Sequence, residues 1–186
     1  HKAFLLQELF PESFAKVNET FQEAFPAVRE VKVHRFHPAA LDPSTTEAYS
    51  VALVVEELGV DRLIFFSEMS SGMQRFLSFI VHLSFAPPGT VVLIDELESG
   101  FGVNCLPAVT DFLLSLAPNC QFIITSHHPY IIEKIPLRQW KIVTRKGSRV
   151  RVLDASRIPA LREGKSSLDH FTRLMNLPEY EEGIVM

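Results

Sequence analysis

Residues 90–129 read TVVLIDELESGFGVNCLPAVTDFLLSLAPNCQFIITSHHP. Two apolar runs frame the stretch, 90–94 and 121–125, both rich in β-branched residues. Continuous runs of this kind predict strands covered on both faces, as in parallel sheets. Between them, 106–116 carries apolar residues at helical spacing, and Pro129 suits the first position of a helix through 135. Residues 90–135 therefore read strand–helix–strand–helix, a parallel α/β unit.

Working outward, 76–85 is helix-like and stops at Ala86, Pro87, Pro88 and Gly89. Residues 62–66 and 49–55 read as strands joined near Gly59, and 31–36 alternates as a half-buried strand. Residues 38–46 are turn-rich. Residues 1–28 read as two amphipathic helices broken at Pro11 and Pro26. Downstream, 141–154 predicts a hairpin turning at Lys146, Gly147 and Ser148, and 166–175 a last helix.

The 186 residues suffice for one domain with a real core. With 47% hydrophobic and 22% charged residues, the composition is globular rather than disordered. A net charge of −4 excludes a global basic field for nucleic acid. Locally, Arg145, Lys146, Arg149 and Arg151 crowd the hairpin. Solvated charge is the commoner explanation for such a cluster, and contact with DNA or RNA the other. Cys105 and Cys120 match neither a zinc spacing nor a disulfide framework, so buried thiols in a reducing, cytoplasmic compartment are expected. No apolar stretch is long enough to span a bilayer, and no membrane partner is expected. The chain begins at His1 without an initiator Met or a signal-peptide pattern, which suggests a fragment or a processed product.

Chemistry-bearing residues gather at strand ends, where parallel sheets bind ligands. Asp95 and Glu96 end one strand. Mg²⁺ takes one or two carboxylates, several waters and phosphate oxygens. Asp95 suits the metal's water shell, and Glu96 suits orienting the water that attacks a γ-phosphate. A solvated strand end is the alternative. His127 follows the next strand and could donate to a phosphate or to that water. A capping or packed histidine is the alternative, and His128 is the weaker candidate. Residues 68–75, EMSSGMQR, lie at the mouth of a helix. Its free N–H groups, the Ser70 and Ser71 hydroxyls and the close approach allowed by Gly72 suit a phosphate. An ordinary serine N-cap is the alternative.

In order and spacing these stretches resemble the C-terminal half of an ABC-type ATPase head, in particular the AAA-type ATP-binding proteins of the RecF/SMC/OLD-nuclease group. Residues 69–75 are similar to the signature, 91–96 to Walker B, 97–101 to the D-loop and 125–129 to the switch-histidine motif. The resemblance implies an α/β fold, the C-terminal part of a P-loop NTPase head. That fold has a mainly parallel sheet, flanking helices and a β-hairpin. It divides the chain into a helical arm with strands (1–60), an ATPase lobe (61–155) and a helical tail (156–186). It implies ATP and Mg²⁺ as cofactors, Glu96 and His127 as catalytic residues and Asp95 at the metal. Ser70, Ser71, Gly72, Gln74, Arg75 and Ser99 would contact nucleotide. Two heads would sandwich two ATP molecules, with Ser70 and Gly72 acting in trans on the partner's nucleotide and Asp95, Glu96 and His127 in cis. The implied partner is a second copy or a paired head, with DNA or a nuclease effector as further candidates. The implied settings are DNA repair and anti-phage defence.

This sequence departs from the pattern at three places. Gly102 and Val103 replace the usual His-Pro after the D-loop, and Met73 stands at a commonly polar signature position. No Gly-x-x-x-x-Gly-Lys-[Ser/Thr] phosphate loop is present. Gly164, Lys165 and Ser166 imitate its end, but Pro159 stands where its first glycine belongs and no strand leads directly into the stretch. A solvated turn is the simpler reading. The phosphate loop is therefore expected from an N-terminal Walker A lobe or a second chain. One rival is a truncated or degenerate lobe that dimerises or binds a partner without turnover. Another is a metal-dependent phosphodiesterase using Asp95, Glu96, His127 and His128, weakened by the want of a further carboxylate–histidine cluster.

Overall fold

Pro11 divides the first two helices, because it lacks an N–H and takes the opening position of the second. These are α1 (Lys2–Leu9) and α2 (Pro11–Ala24) in a computed structural model that describes residues 1–37 and 49–177. The chain forms two compact units, 1–125 and 126–186. The turn-rich stretch 38–46 lies outside the described residues.

In the first unit, α2 buries Phe14, Val17, Phe21 and Ala24, one stripe at helical spacing. It lies beside β1 (Val28–Phe36), which pairs antiparallel with β2 (Ser50–Glu57). β2 in turn pairs with the two-residue β3 (Ile64–Phe65). The Asn18 side chain fastens α2 to β1. Its amide donates to the Val31 carbonyl at 2.7 Å and its oxygen accepts the Val31 N–H at 2.6 Å. These two bonds satisfy backbone groups of β1 that would otherwise need water.

Next come α3 (Ser71–Leu83), β4 (Val91–Ile94), α4 (Leu106–Leu116) and β5 (Gln121–Ile124). α3 starts five residues before the expected position, since Ser71 and Gly72 belong to its first turn. β4 and β5 pair in parallel, with Ile94 opposite Ile124, as the strand–helix–strand reading requires. The core is aromatic at its centre. Phe21 stacks on Phe76 at 5.9 Å between centroids, and Phe101 meets Phe76 edge-on at 6.1 Å. Phe21 and Phe76 are fully buried, beside Val17, Val31, Leu77 and Ile80.

One expectation needs correction. β4 and β5 are not covered on both faces. Val91, Leu93 and Ile123 are 55%, 74% and 52% exposed, whereas Val92, Ile94, Phe122 and Ile124 are half-buried. The residues are those of a doubly covered strand, but only one side of the pair is packed within this unit.

The second unit contains α5 (Pro129–Lys134), β6 (Lys141–Lys146), β7 (Arg149–Asp154), the short α6 (Pro159–Arg162) and α7 (Ser167–Met175). β6 and β7 form the expected antiparallel hairpin, with Gly147 at φ +60° in the turn. A small core of Ala155, Leu161 and Leu177 packs with Trp140, Ile142, Ile158 and Leu174. Trp140 anchors the hairpin base by donating its indole N–H to the Ile135 carbonyl at 2.8 Å.

Two truncations read this packing directly. Phe21→Ala should cost about 3–5 kcal/mol, as for a buried aromatic. Leu93→Ala should cost less than about 0.5 kcal/mol, as for an exposed position. Urea denaturation of the two variants measures both, and a large loss for Leu93→Ala would mean that the face is covered within the chain.

Candidate functional site

Thr125 ties the ends of β4 and β5 together. Its N–H donates to the Ile94 carbonyl at 2.9 Å, continuing the parallel ladder by one step. Its hydroxyl donates to Asp95 Oδ1 at 2.6 Å and accepts the Glu96 N–H at 2.7 Å. Its carbonyl accepts the Leu97 N–H at 3.0 Å. One side chain thus fixes a carboxylate and the backbone of the acid that follows. Glu96 sits at φ +46°, a left-handed conformation that non-glycine residues adopt rarely and at a cost of about 1–3 kcal/mol. The bonds to Thr125 and the buried Leu97 hold it there. Asp95 and Glu96 are both exposed.

Asp95 Oδ2 remains an acceptor once Oδ1 is engaged with Thr125. Among the described residues no group of three or more His, Cys, Asp or Glu gathers to hold a metal. A cation at Asp95 would therefore keep most of its waters, which suits Mg²⁺ and not a tightly caged metal.

The loop after Glu96 returns toward the mouth of α3. Ser99, exposed, donates its N–H to the Glu96 carbonyl at 2.8 Å. Gly100 has φ +76°, a backbone that favours glycine, and a Cβ there would lie 2.7 Å from Arg75 Nη1 and displace that side chain. The Arg75 guanidinium lies over the Phe101 ring, 5.4 Å from its centroid. This contact fastens the two segments read as signature and D-loop. Between them lies a hollow of about 380 Å³ lined by Ser70, Ser71, Gly72, Gly100, Phe101 and Gly102. The N–H groups of Ser71 and Gly72 belong to the first turn of α3, where no intrahelical acceptor exists.

Ser70 also caps α3, accepting the Met73 N–H at 3.3 Å, so the ordinary capping role is present. Gln74 and Arg75 are occupied within the chain. The Gln74 amide donates to the Met69 carbonyl at 3.0 Å, and Arg75 packs on Phe101. Glu68 holds the approach to the helix. Its carboxylate accepts the Phe65 N–H at 2.8 Å and meets Arg62 Nη1 at 2.9 Å. These two partners, the backbone N–H foremost, hold its carboxyl below the usual carboxylate range.

His127 belongs to the second unit. There the Ser126 hydroxyl accepts the His128 N–H at 3.1 Å, and His128 Nδ1 accepts the Tyr130 N–H at 3.2 Å. His128 is thus the N-cap of α5. The Gly164–Lys165–Ser166 stretch caps α7. The Ser166 hydroxyl accepts the Asp169 N–H at 3.1 Å, and the Asp169 carboxylate accepts the Lys165 N–H at 3.0 Å. Asp169 thereby takes the backbone donor that a phosphate would need. The Lys165 N–H first, then Arg173, holds its carboxyl below the usual range. A Cβ at Gly164 would lie 2.0 Å from His170 Cδ2, so a side chain there would displace the His170 ring.

Sequence reasoning alone does not single out Thr125. The available signal was its place directly after an apolar strand, in a motif read for its histidine alone.

A family profile described as "AAA domain, putative AbiEii toxin, Type IV TA system" matches residues 3–133. No match is found among curated proteins. Among solved structures, an SMC ATPase studied for ATP-driven dimerisation and DNA-stimulated activation is 15% identical. It superposes with a TM-score of 0.57 over 82% of this chain and 88% of its own. An Smc head bound to the C-terminal winged-helix domain of ScpA is 14% identical, with a TM-score of 0.59 over 81% of this chain. The Pyrococcus furiosus Smc head with an extended coiled coil, bound to the C-terminal domain of ScpA, is 13% identical, with a TM-score of 0.57 over 81% of this chain. The chain spans only 44% and 36% of the length of these last two. At these identities the likeness is one of fold.

Thr125→Val keeps the shape and removes the hydroxyl. It should cost about 1 kcal/mol in urea denaturation and shift the Glu96 amide resonance, whereas Thr125→Ser should do neither. For Glu68, a lowered folded pKa means that its hold on the turn is complete above the ordinary carboxylate pKa of about 4.3 and is lost as pH falls through the lower folded value. The Phe65 amide, followed by NMR, should titrate below that ordinary value. Titration above it would contradict the arrangement.

Proposed function

The chain belongs to the AAA-domain family described as a putative AbiEii toxin of a type IV toxin–antitoxin system, an ATPase-head family, and on that premise we propose that Asp95, Glu96 and the mouth of α3 are two halves of an ATP-hydrolysing site. The observation that carries this reading is the Thr125 hydroxyl, which fixes Asp95 and Glu96 at the ends of parallel strands. The Asp95 carboxylate held in this way can act without reorganising when charge develops, and the Glu96 backbone is set beside it.

Asp95 Oδ2 would hold the water shell of Mg²⁺, which would supply charge neutralisation on the phosphates. Glu96 accepts a hydrogen bond from the attacking water and orients it. His127, assigned by its place two residues after Thr125, donates to the transferred phosphate. Ser70, Ser71 and Gly72 offer a hydroxyl and first-turn N–H groups to the phosphates of a nucleotide held by a paired head. Gln74, Arg75 and Ser99 support that surface, the first two through the contacts already described.

A separate lobe supplies the phosphate loop, since the sequence has none. The open apolar face of β4 and β5 supports this completion, because parallel strands are ordinarily covered on both sides. The lobe 61–155 then works as part of a dimerising head in DNA repair or anti-phage defence, with DNA or a nuclease as its effector. The missing loop also favours a second reading, a lobe that pairs and binds partners without turnover.

The two readings separate on one residue. In the completed head, Glu96→Gln should lower ATP turnover by at least about 100-fold while ATP stays bound and the paired state persists in light scattering. Unchanged turnover would remove Glu96 from catalysis, and no turnover in the unmodified head would favour the second reading. Ser70→Arg should abolish pairing while leaving ATP binding by each head intact.

A further inference from the structure

Gly102 has an ordinary extended backbone, φ −68° and ψ 152°, which any residue can adopt. Its missing side chain therefore answers to space and not to conformation. A Cβ there would lie 2.5 Å from Asn104 Oδ1, so the Asn104 amide is folded over Gly102. From that position Asn104 Nδ2 donates to the Ala24 carbonyl at 2.9 Å, 80 residues away in sequence. Ala24 ends α2, and its carbonyl is among those that a helix leaves without an intrahelical donor. Any side chain at 102, the usual histidine included, would displace the amide and break this bond.

One side chain thus joins the end of α2 to the loop that follows the acids. The same loop stands against the mouth of α3, since a Cβ at Gly72 would lie 3.6 Å from the Gly102 nitrogen, in van der Waals contact. Gly102 and Asn104 line the hollow together with Ser70, Ser71 and Gly72. Phe25, the residue after α2, lines it as well, and its ring lies 4.8 Å from that of the buried Phe21. Gly100 and Phe101 anchor the loop to Arg75 on α3, and Asn104 anchors it to α2.

We propose that Asn104 is a positioning residue of the nucleotide site: it latches the loop after Asp95 and Glu96 to the end of α2, and so holds the hollow in the shape that Ser70, Ser71 and Gly72 present to a phosphate. This rests on the reading of the α3 mouth as half of an ATP-hydrolysing site. Asn104 acts through Gly102 on Gly72, not on the nucleotide. The glycine at 102 and the asparagine at 104 work as a pair, because the first leaves the room that the second fills.

The test is a double-mutant cycle of Gly102→Ala and Asn104→Ala. In the completed head, each single variant should lower kcat for ATP at least about tenfold and leave KM within about twofold, because the separate lobe still holds the nucleotide. The double variant should be no slower than Asn104→Ala, since the new methyl then takes the space that the amide leaves. A side chain that only stabilised the fold would lower the folded fraction and not kcat per folded site. In the 186-residue chain alone, Asn104→Ala and Gly102→Ala should each shift the Gly72 amide resonance. Full kcat in Asn104→Ala, or losses that add in the double variant, would overturn the proposal and leave the site reading standing. An unmoved Gly72 amide would overturn it without any nucleotide. No turnover in the unmodified head would instead overturn the site reading, and the nucleotide role of Asn104 with it, even where the Gly72 amide shifts.

Discussion

The hydroxyl of Thr125 is the constraint around which the first unit is arranged. Two parallel strands of four residues have few ladder bonds of their own, and their carboxyl ends would fray in water. Thr125 prevents this by donating to Asp95 and accepting from Glu96, while its backbone closes the ladder on both sides. A valine there would preserve the β-branched packing and lose both side-chain bonds. The left-handed backbone of Glu96 depends on the same contact. Strain at an acid is retained only where the surroundings hold it, and here Thr125, just beyond the neighbouring strand, and the buried Leu97 do so.

A second coupling links the acids to the helix mouth. The turn after Glu96 ends at Gly100, whose missing side chain makes room for Arg75, and Arg75 lies over Phe101. Phe101 in turn meets Phe76 in the aromatic core. The loop that follows the acids is thus anchored to the first turns of α3, so the hollow at Ser70, Ser71 and Gly72 and the strand-end acids belong to one packed body. Any movement of α3 would be felt at Gly100 before it reached the acids.

Much of this was legible in the sequence because it rests on period and punctuation. The α4 boundaries, the hairpin turn and the last helix follow from local rules, and the observed elements agree with them, Ser166 capping that helix rather than opening it. Residue type places the start of α3 too late because Ser71 and Gly72 are poor helix formers, and the capping Ser70 outweighs that preference. The covering of β4 and β5 departs from the sequence pattern because an apolar run reports the environment a strand is built for, and Val91, Leu93 and Ile123 find only half of it here. Of the candidate site, the acids and the serine–glycine mouth stood out by residue type. Thr125 did not, because a threonine after a strand looks like β propensity until its hydroxyl is seen between two acids. Nor could spacing show that the Gln74 amide bonds back to Met69 and that the Arg75 guanidinium lies over Phe101.

The central claim is that this chain carries the acid and signature side of a nucleotide site and takes its phosphate loop from elsewhere. Calorimetric titration of the folded chain with Mg·ATP, with and without Lys165→Ala, tests it most directly. The account predicts no heat of binding in either case, because Asp169 already occupies the Lys165 N–H. Binding that disappears with Lys165→Ala would contradict it, and would make Gly164, Lys165 and Ser166 a working phosphate loop within the chain.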